Sequence, residues 1–154
     1  MSGTPFVNVK LGPSALLPRR MRSGDVGFDL TCNETTTLTG LVTPIPTGVI
    51  IAGPIEHSLP EPLMIFLRID TRSGVAAKQN MFAVGGIIDP NYRGELKVLL
   101  CDPGYDYNNP RVIEAGTRIA QLVPTVSIEP FEFMEVDDVV MTERGTQGFG
   151  SSGR

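Results

Sequence analysis

The sequence predicts an all-β fold, a sandwich or jelly roll, on three observations. Glycine and proline number 17 and 13 in 154 residues and are scattered along the whole length, so the chain is punctuated by turns throughout. Between them lie short apolar or alternating runs at regular spacing. Only one stretch, residues 73–79, has the makings of a helix, and it is short. Regular short strands separated by turn residues are the signature of sheets packed face to face.

The strands are expected at 6–11, 26–31, 41–42, 48–51, 63–69, 81–88, 95–101, 117–126 and 131–136. The first alternates apolar and polar residues, and so does 95–100. The run 63–69 is nearly all apolar. No repeat and no linker divides the chain, and 154 residues suffice for a single core. The division drawn is a body over 1–142 and a glycine-rich tail over 143–154.

Composition removes several function classes. A net charge of −4 gives no basic field for general nucleic-acid binding, though a few converging arginines would still serve a nucleotide. No apolar run approaches the length of a membrane span. The N-terminus carries no basic stretch leading into an apolar one, so an intracellular protein (cytoplasm or nucleus), not a secreted one, is expected. Cys32 and Cys101 make no metal-ligand spacing and read as small buried thiols. His57 is the single histidine and lies in the loop-like stretch 53–62. A histidine-based triad or a zinc cluster is therefore excluded, and the chemistry must run on carboxylates or on a metal held by few protein ligands.

Residues 85–96 are the centre of the reading. Ile87 and Ile88 end in a carboxylate, Asp89; Pro90 and Asn91 supply turn chemistry; Tyr92, Arg93 and Gly94 lead into the next strand. A tight hairpin is expected, with an acid and an aromatic ring at its tip. Gly85 and Gly86 lack Cβ atoms, which would let a flat ligand reach backbone amides. The plainer alternative is a hairpin with a surface aspartate and a packed tyrosine.

Other stretches carry matching chemistry. Asp29 alternates with Val26, Phe28 and Leu30 and is either exposed or faces a cleft. Arg72 and Ser73 at the entry to the short helix suit a phosphate, or else form a serine N-cap beside a surface arginine. Ile119, Gln121 and Val123 are expected on one strand face, where a buried glutamine needs a backbone or ligand partner. Arg19, Arg20 and Arg22 read as a solvated turn. The tail places Arg144, Phe149, Ser151 and Ser152 among glycines, a composition suited to phosphate oxygens and to stacking on a base. Such a tail could close over a ligand.

Taken in order, five stretches resemble the motifs of the trimeric dUTP pyrophosphatases (dUTPases): 27–30, 72–78, 86–95, 116–121 and 144–153. The resemblance runs over nearly the whole chain. It implies a jelly-roll subunit of the dUTPase-like β-clip type, a homotrimer with exchange of C-terminal arms, and active sites built at subunit interfaces. It implies hydrolysis of dUTP to dUMP and pyrophosphate, keeping uracil out of DNA and supplying dUMP. By resemblance Asp89 activates the attacking water, and main-chain groups around Gly86 and Ile88 select uracil. Tyr92 lies under the deoxyribose and excludes a 2′-hydroxyl. Arg72, Ser73, Gly74 and Gln121 bind the phosphates, with Asp29 supporting Arg72 or the water shell of the metal. Arg144, Gly150, Ser151 and Ser152 hold the γ-phosphate end, and Phe149 covers the base. Mg²⁺ would ride on the triphosphate with no direct protein ligand. The implied partners are dUTP and two further copies of the chain, with no membrane or nucleic acid; nothing in the residues supports a regulatory protein partner, for which loops 53–62 and 102–110 are the unassigned surfaces. The departures are Phe28 where the family has Tyr, Thr117 for Asp, Thr146 and Gln147 for Ser and Gly, and Ser152 for Thr.

Two rival readings differ in kind. A dCTP deaminase of the same fold needs a glutamate on the strand after Gly94, and that position is Leu99, which cannot shuttle protons. A non-catalytic binding module of the fold would have no need of Asp89 and Tyr92 together.

Overall fold

A computed structural model describes residues 4–129 and 131–143 of the chain. It contains strands β1 (Phe6–Leu11), β2 (Phe28–Thr31), β3 (Thr36–Thr37), β4 (Val42–Glu56) and β5 (Leu63–Thr71), then helix α1 (Ser73–Gln79). Strands β6 (Phe82–Val84), β7 (Ile87–Ile88), β8 (Glu95–Cys101), β9 (Val112–Ile113) and β10 (Arg118–Ile128) follow. Two four-stranded sheets, ordered β1-β4-β8-β6 and β2-β10-β5-β7, pack face to face, and β3 and β9 form a separate ribbon. Each strand pair given a register is antiparallel, as the alternating sequence requires.

The core follows from period-two alternation. In β8, Leu96, Val98 and Leu100 are fully buried while Lys97 points to solvent. In β5, Ile65, Leu67 and Ile69 are buried and Arg68 is exposed. Facing side chains from Leu30, Ile45, Ile51 and Leu122 complete the layer. Each of these aliphatic side chains contributes about 1.5–3 kcal/mol by leaving water.

The sequence reading meets corrections at several points. Val42 and the run expected at 48–51 belong to one strand, β4, which bulges between Pro46 and Ile50, while Leu41 lies just ahead of it. Gly48 sits at the bulge with φ of +68°, its N–H donating to Glu95 Oε1 at 2.8 Å. The strand also takes in residues 53–56, shortening the loop that holds His57. Residues 131–136 form no strand and are exposed.

The expected tight hairpin at 85–96 is also different. β6 pairs with β8 (Val84 opposite Leu99), but β7 leaves that sheet and pairs with β5 (Ile88 opposite Leu67). Two glycines permit the crossing. Gly85 takes φ of +61°, where a side chain would be strained. Gly86 passes so close to β5 that an added Cβ would overlap the Ile69 carbonyl, and its own carbonyl accepts the Ile69 N–H at 2.7 Å. The glycines therefore serve the sheet-to-sheet switch.

Candidate active site

One cleft gathers residues from three of the five stretches. It is lined by Asp25, Gly27, Asp29, Thr71, Arg72, Ser73, Gly74 and Gln121, with Met21 and Val26 at its side, and measures about 410 Å³. Asp29 comes from β2, Gln121 from β10 directly opposite it, and Arg72 from the junction between β5 and α1. Asp29 is thus in a cleft, and Val26 lines the same cleft, ahead of the strand in which alternation begins.

Charge and hydrogen bonding hold this cleft in shape. Asp29 Oδ1 lies 2.8 Å from Arg72 Nε, with both side chains largely removed from solvent (15% and 26% exposed). Asp29 Oδ2 lies 3.3 Å from Arg118 Nη1. Both carboxylate oxygens are therefore occupied by cations, and Asp29 braces Arg72 in the cleft. Gln121 Nε2 donates to the Thr71 carbonyl at 3.3 Å. Its Oε1 lies against Gly27, where a Cβ would overlap it, so Gly27 is the space the amide needs. Ser73 is the first residue of α1, and the N-cap position belongs to Arg72, with no side-chain cap bond. Ser73 is exposed at the cleft wall, and the expectation of a serine N-cap is corrected.

The Asp89 turn is built separately. The Tyr92 N–H donates to the Asp89 carbonyl at 3.0 Å, and Arg93 Nη1 donates to the Pro90 carbonyl at 2.8 Å and the Tyr92 carbonyl at 3.0 Å. Tyr92 lays its ring over Gly94, where a Cβ would meet the ring and hydroxyl, and its OH donates to the Glu95 carbonyl at 3.2 Å. Glu95 in turn grips the β4 bulge. Tyr92 is 44% exposed and Asp89 is exposed, so this turn presents both groups outward.

The two halves do not meet within one chain. Asp89, Gly86, Ile88 and Tyr92 do not line the cleft of Arg72 and Gln121. Ile88 pairs with Leu67 on β5 and Arg72 lies five residues further along, on the order of 15 Å at the rise of a strand, while Gly86, beside Ile69, lies nearer the cleft. Arg144, Phe149, Gly150, Ser151 and Ser152 lie outside the described residues.

Sequence reasoning passed over Arg118 and Asp25. Arg118 had a signal: it stands in the same 116–121 stretch as Gln121. Among the described residues no group of three or more His, Cys, Asp and Glu side chains converges on a possible metal position. Burial pushes the Cys32 thiol above its usual range, with hydrogen bonding to Thr36 and Glu34 opposing. A second cavity of about 270 Å³, walled by Phe6, Val9, Phe28, Ile55, Leu67 and Leu122, is apolar and lies between β1 and the other sheet.

Comparison with known proteins bears on both halves. Residues 14–153 match the dUTPase family model. The deoxyuridine 5'-triphosphate nucleotidohydrolase of Corynebacterium diphtheriae is 40% identical over 147 residues, 94% of this chain and 90% of that protein. The protein of the same name from Solanum lycopersicum is 35% identical over 153 residues, covering 97% and 82%. A variant of the Staphylococcus bacteriophage 80alpha dUTPase with dUpNHpp superposes with a TM-score of 0.77 at 28% identity, covering 98% of this chain and all of that one. A dUTPase variant from phage phi11 of S. aureus, described with a structural Mg(II) ion, gives 0.64 at 26% identity over 86% and 97%. This chain belongs to the dUTPase family.

Proposed function

We propose that the protein hydrolyses dUTP to dUMP and pyrophosphate, with the triphosphate in the Arg72 cleft and the nucleoside on the Asp89 turn of another copy. The observation that carries this reading is the split itself. An anion cleft and an outward-facing acid with an aromatic ring are each well built, and one chain keeps them apart. A homotrimer that exchanges C-terminal arms would bring them together.

In that assembly Asp89 takes a proton from a water as its oxygen bonds to the α-phosphorus, and the bond from the α-phosphorus to the bridging oxygen breaks, releasing pyrophosphate and leaving dUMP. Tyr92, pinned by Glu95 and Gly94, sits beneath the deoxyribose and leaves no room for a 2′-hydroxyl. Main-chain groups around Gly86 and Ile88 read the uracil edge. A cytosine there would leave buried polar groups unpaired, which rejects it strongly. Arg72, Ser73, Gly74 and Gln121 hold phosphate oxygens, and Arg144, Gly150, Ser151 and Ser152 close on the γ end while Phe149 covers the base.

The cleft suits a metal carried by the substrate, because both oxygens of Asp29 are engaged by arginines and Asp25 Oδ2 accepts the Arg22 N–H at 2.9 Å. A Mg²⁺ held by triphosphate oxygens and waters would neutralise charge on the leaving pyrophosphate.

The test is Asp89→Asn. Turnover should fall by about 10²–10⁴-fold, the range for losing a general base, while binding of a non-hydrolysable dUTP analogue stays within a few fold. Unchanged turnover would remove Asp89 from the mechanism.

A further inference from the structure

The β10 strand enters its sheet with an irregularity that has a consequence for charge. Gln121 lies opposite Asp29 and Ala120 opposite Leu30, but Arg118, not Ile119, lies opposite Thr31. One extra residue is therefore inserted at Ile119, which turns inward and is buried. Strict alternation would put residue 118 on the face of Ala120, in the core. The bulge instead puts it on the face of Thr31 and Asp29, and this is also why Ile119 does not share the face of Gln121 and Val123.

The result is two arginines on one carboxylate. Asp29 Oδ1 holds Arg72 Nε at 2.8 Å and Oδ2 holds Arg118 Nη1 at 3.3 Å. Arg72 Nη1 also donates to the Arg118 carbonyl at 3.4 Å. Arg72 lines the cleft and Arg118 does not. With Arg72 alone, Asp29 would cancel the charge that an anion needs. With Arg118 present the trio carries a net charge of one positive unit, and the unit facing the cleft is Arg72.

We propose that Arg118 is a positioning residue for this cleft: it neutralises Asp29 from behind, leaving the charge of Arg72 to an incoming polyphosphate. This rests on reading the cleft as the triphosphate site. Arg118 touches no substrate in this scheme, and its effect is on ground-state and transition-state binding alike, so it belongs in KM.

The experiment measures pyrophosphate release from dUTP with Mg²⁺ for the wild type, Arg118→Gln, Arg118→Lys and the double variant Arg118→Gln with Asp29→Asn, with melting temperatures alongside. Losing one charge a few ångströms behind the cleft should raise KM by about tenfold in Arg118→Gln, with kcat within about twofold. Arg118→Lys keeps the charge and should stay within about threefold of wild-type KM. The double variant restores the net charge, while the amide oxygen introduced at position 29 still offers Arg72 an acceptor, and most of the lost KM should return. A merely structural arginine would lower the melting temperature with no recovery in the double variant. An unchanged KM in Arg118→Gln, a fall confined to kcat, or a double variant no better than the single overturns the proposal. If Arg118→Gln does not fold, Arg118→Lys decides, since a tenfold rise in its KM contradicts a role that needs only charge. A wild type that leaves dUTP intact sinks the cleft reading itself, whatever the variants do.

Discussion

Tyr92 shows how closely one side chain is constrained by the residue two positions on. Its ring occupies the space where Gly94 has no Cβ, and its hydroxyl is tied to the Glu95 carbonyl. Gly94→Ala must therefore displace the ring without removing it. The expected outcome is a loss of sugar discrimination: the ratio of kcat/KM for dUTP over UTP should fall by about tenfold or more, the scale on which small steric changes act in a fitted pocket. Steady-state kinetics with both nucleotides checks this, and an unchanged ratio would mean that the ring does not set the sugar pocket. Asp29 makes the complementary point. Its alternation with apolar neighbours suits a surface residue and a cleft residue equally, and two arginine contacts decide the matter.

At the scale of elements, the crossing of β7 from one sheet to the other is the feature on which the Asp89 turn depends. Gly86→Ala would drive a methyl group into the Ile69 carbonyl and break the contact that holds β7 beside β5. A cost of about 2–4 kcal/mol is expected, read as a fall in the urea midpoint with the slope unchanged. No change would show that the crossing has slack. The short helix, β1, β5, β8 and the course of β10 were legible in the sequence because each rests on local periodicity or on clear turn residues at its ends. The pairing of β7 was not, because a two-residue strand has no periodicity, and Gly85 and Gly86 look alike whether they serve a ligand or a crossing. The bulge at Ile119 was hidden for a similar reason: alternation assumes one residue per step, and an inserted residue reverses the face of what precedes it.

For the whole molecule, the proposed assembly builds each site from more than one copy, with Asp89 from one chain and the Arg72 cleft from another. The five stretches carried the family through their order along the chain, but which copy meets which could not be read from a linear sequence, because the join is between surfaces. Mixing tests the division. Asp89→Asn and Arg72→Ala chains should each be nearly inactive alone. Co-refolded in equal amounts, they should recover about a quarter of wild-type turnover, the share of interfaces in which random assembly pairs an intact Asp89 with an intact cleft. No recovery from properly assembled mixtures would place both groups in one chain's site. No described helix is long and apolar enough to cross a membrane.

The central claim is tested most directly by pyrophosphate release from dUTP with Mg²⁺, beside dCTP, dTTP and UTP at equal concentration. The account predicts turnover of dUTP, with the other three far below it, because base and sugar are read together at the Asp89 turn. Comparable turnover of UTP or dCTP, or none of dUTP by a folded assembly, would contradict it.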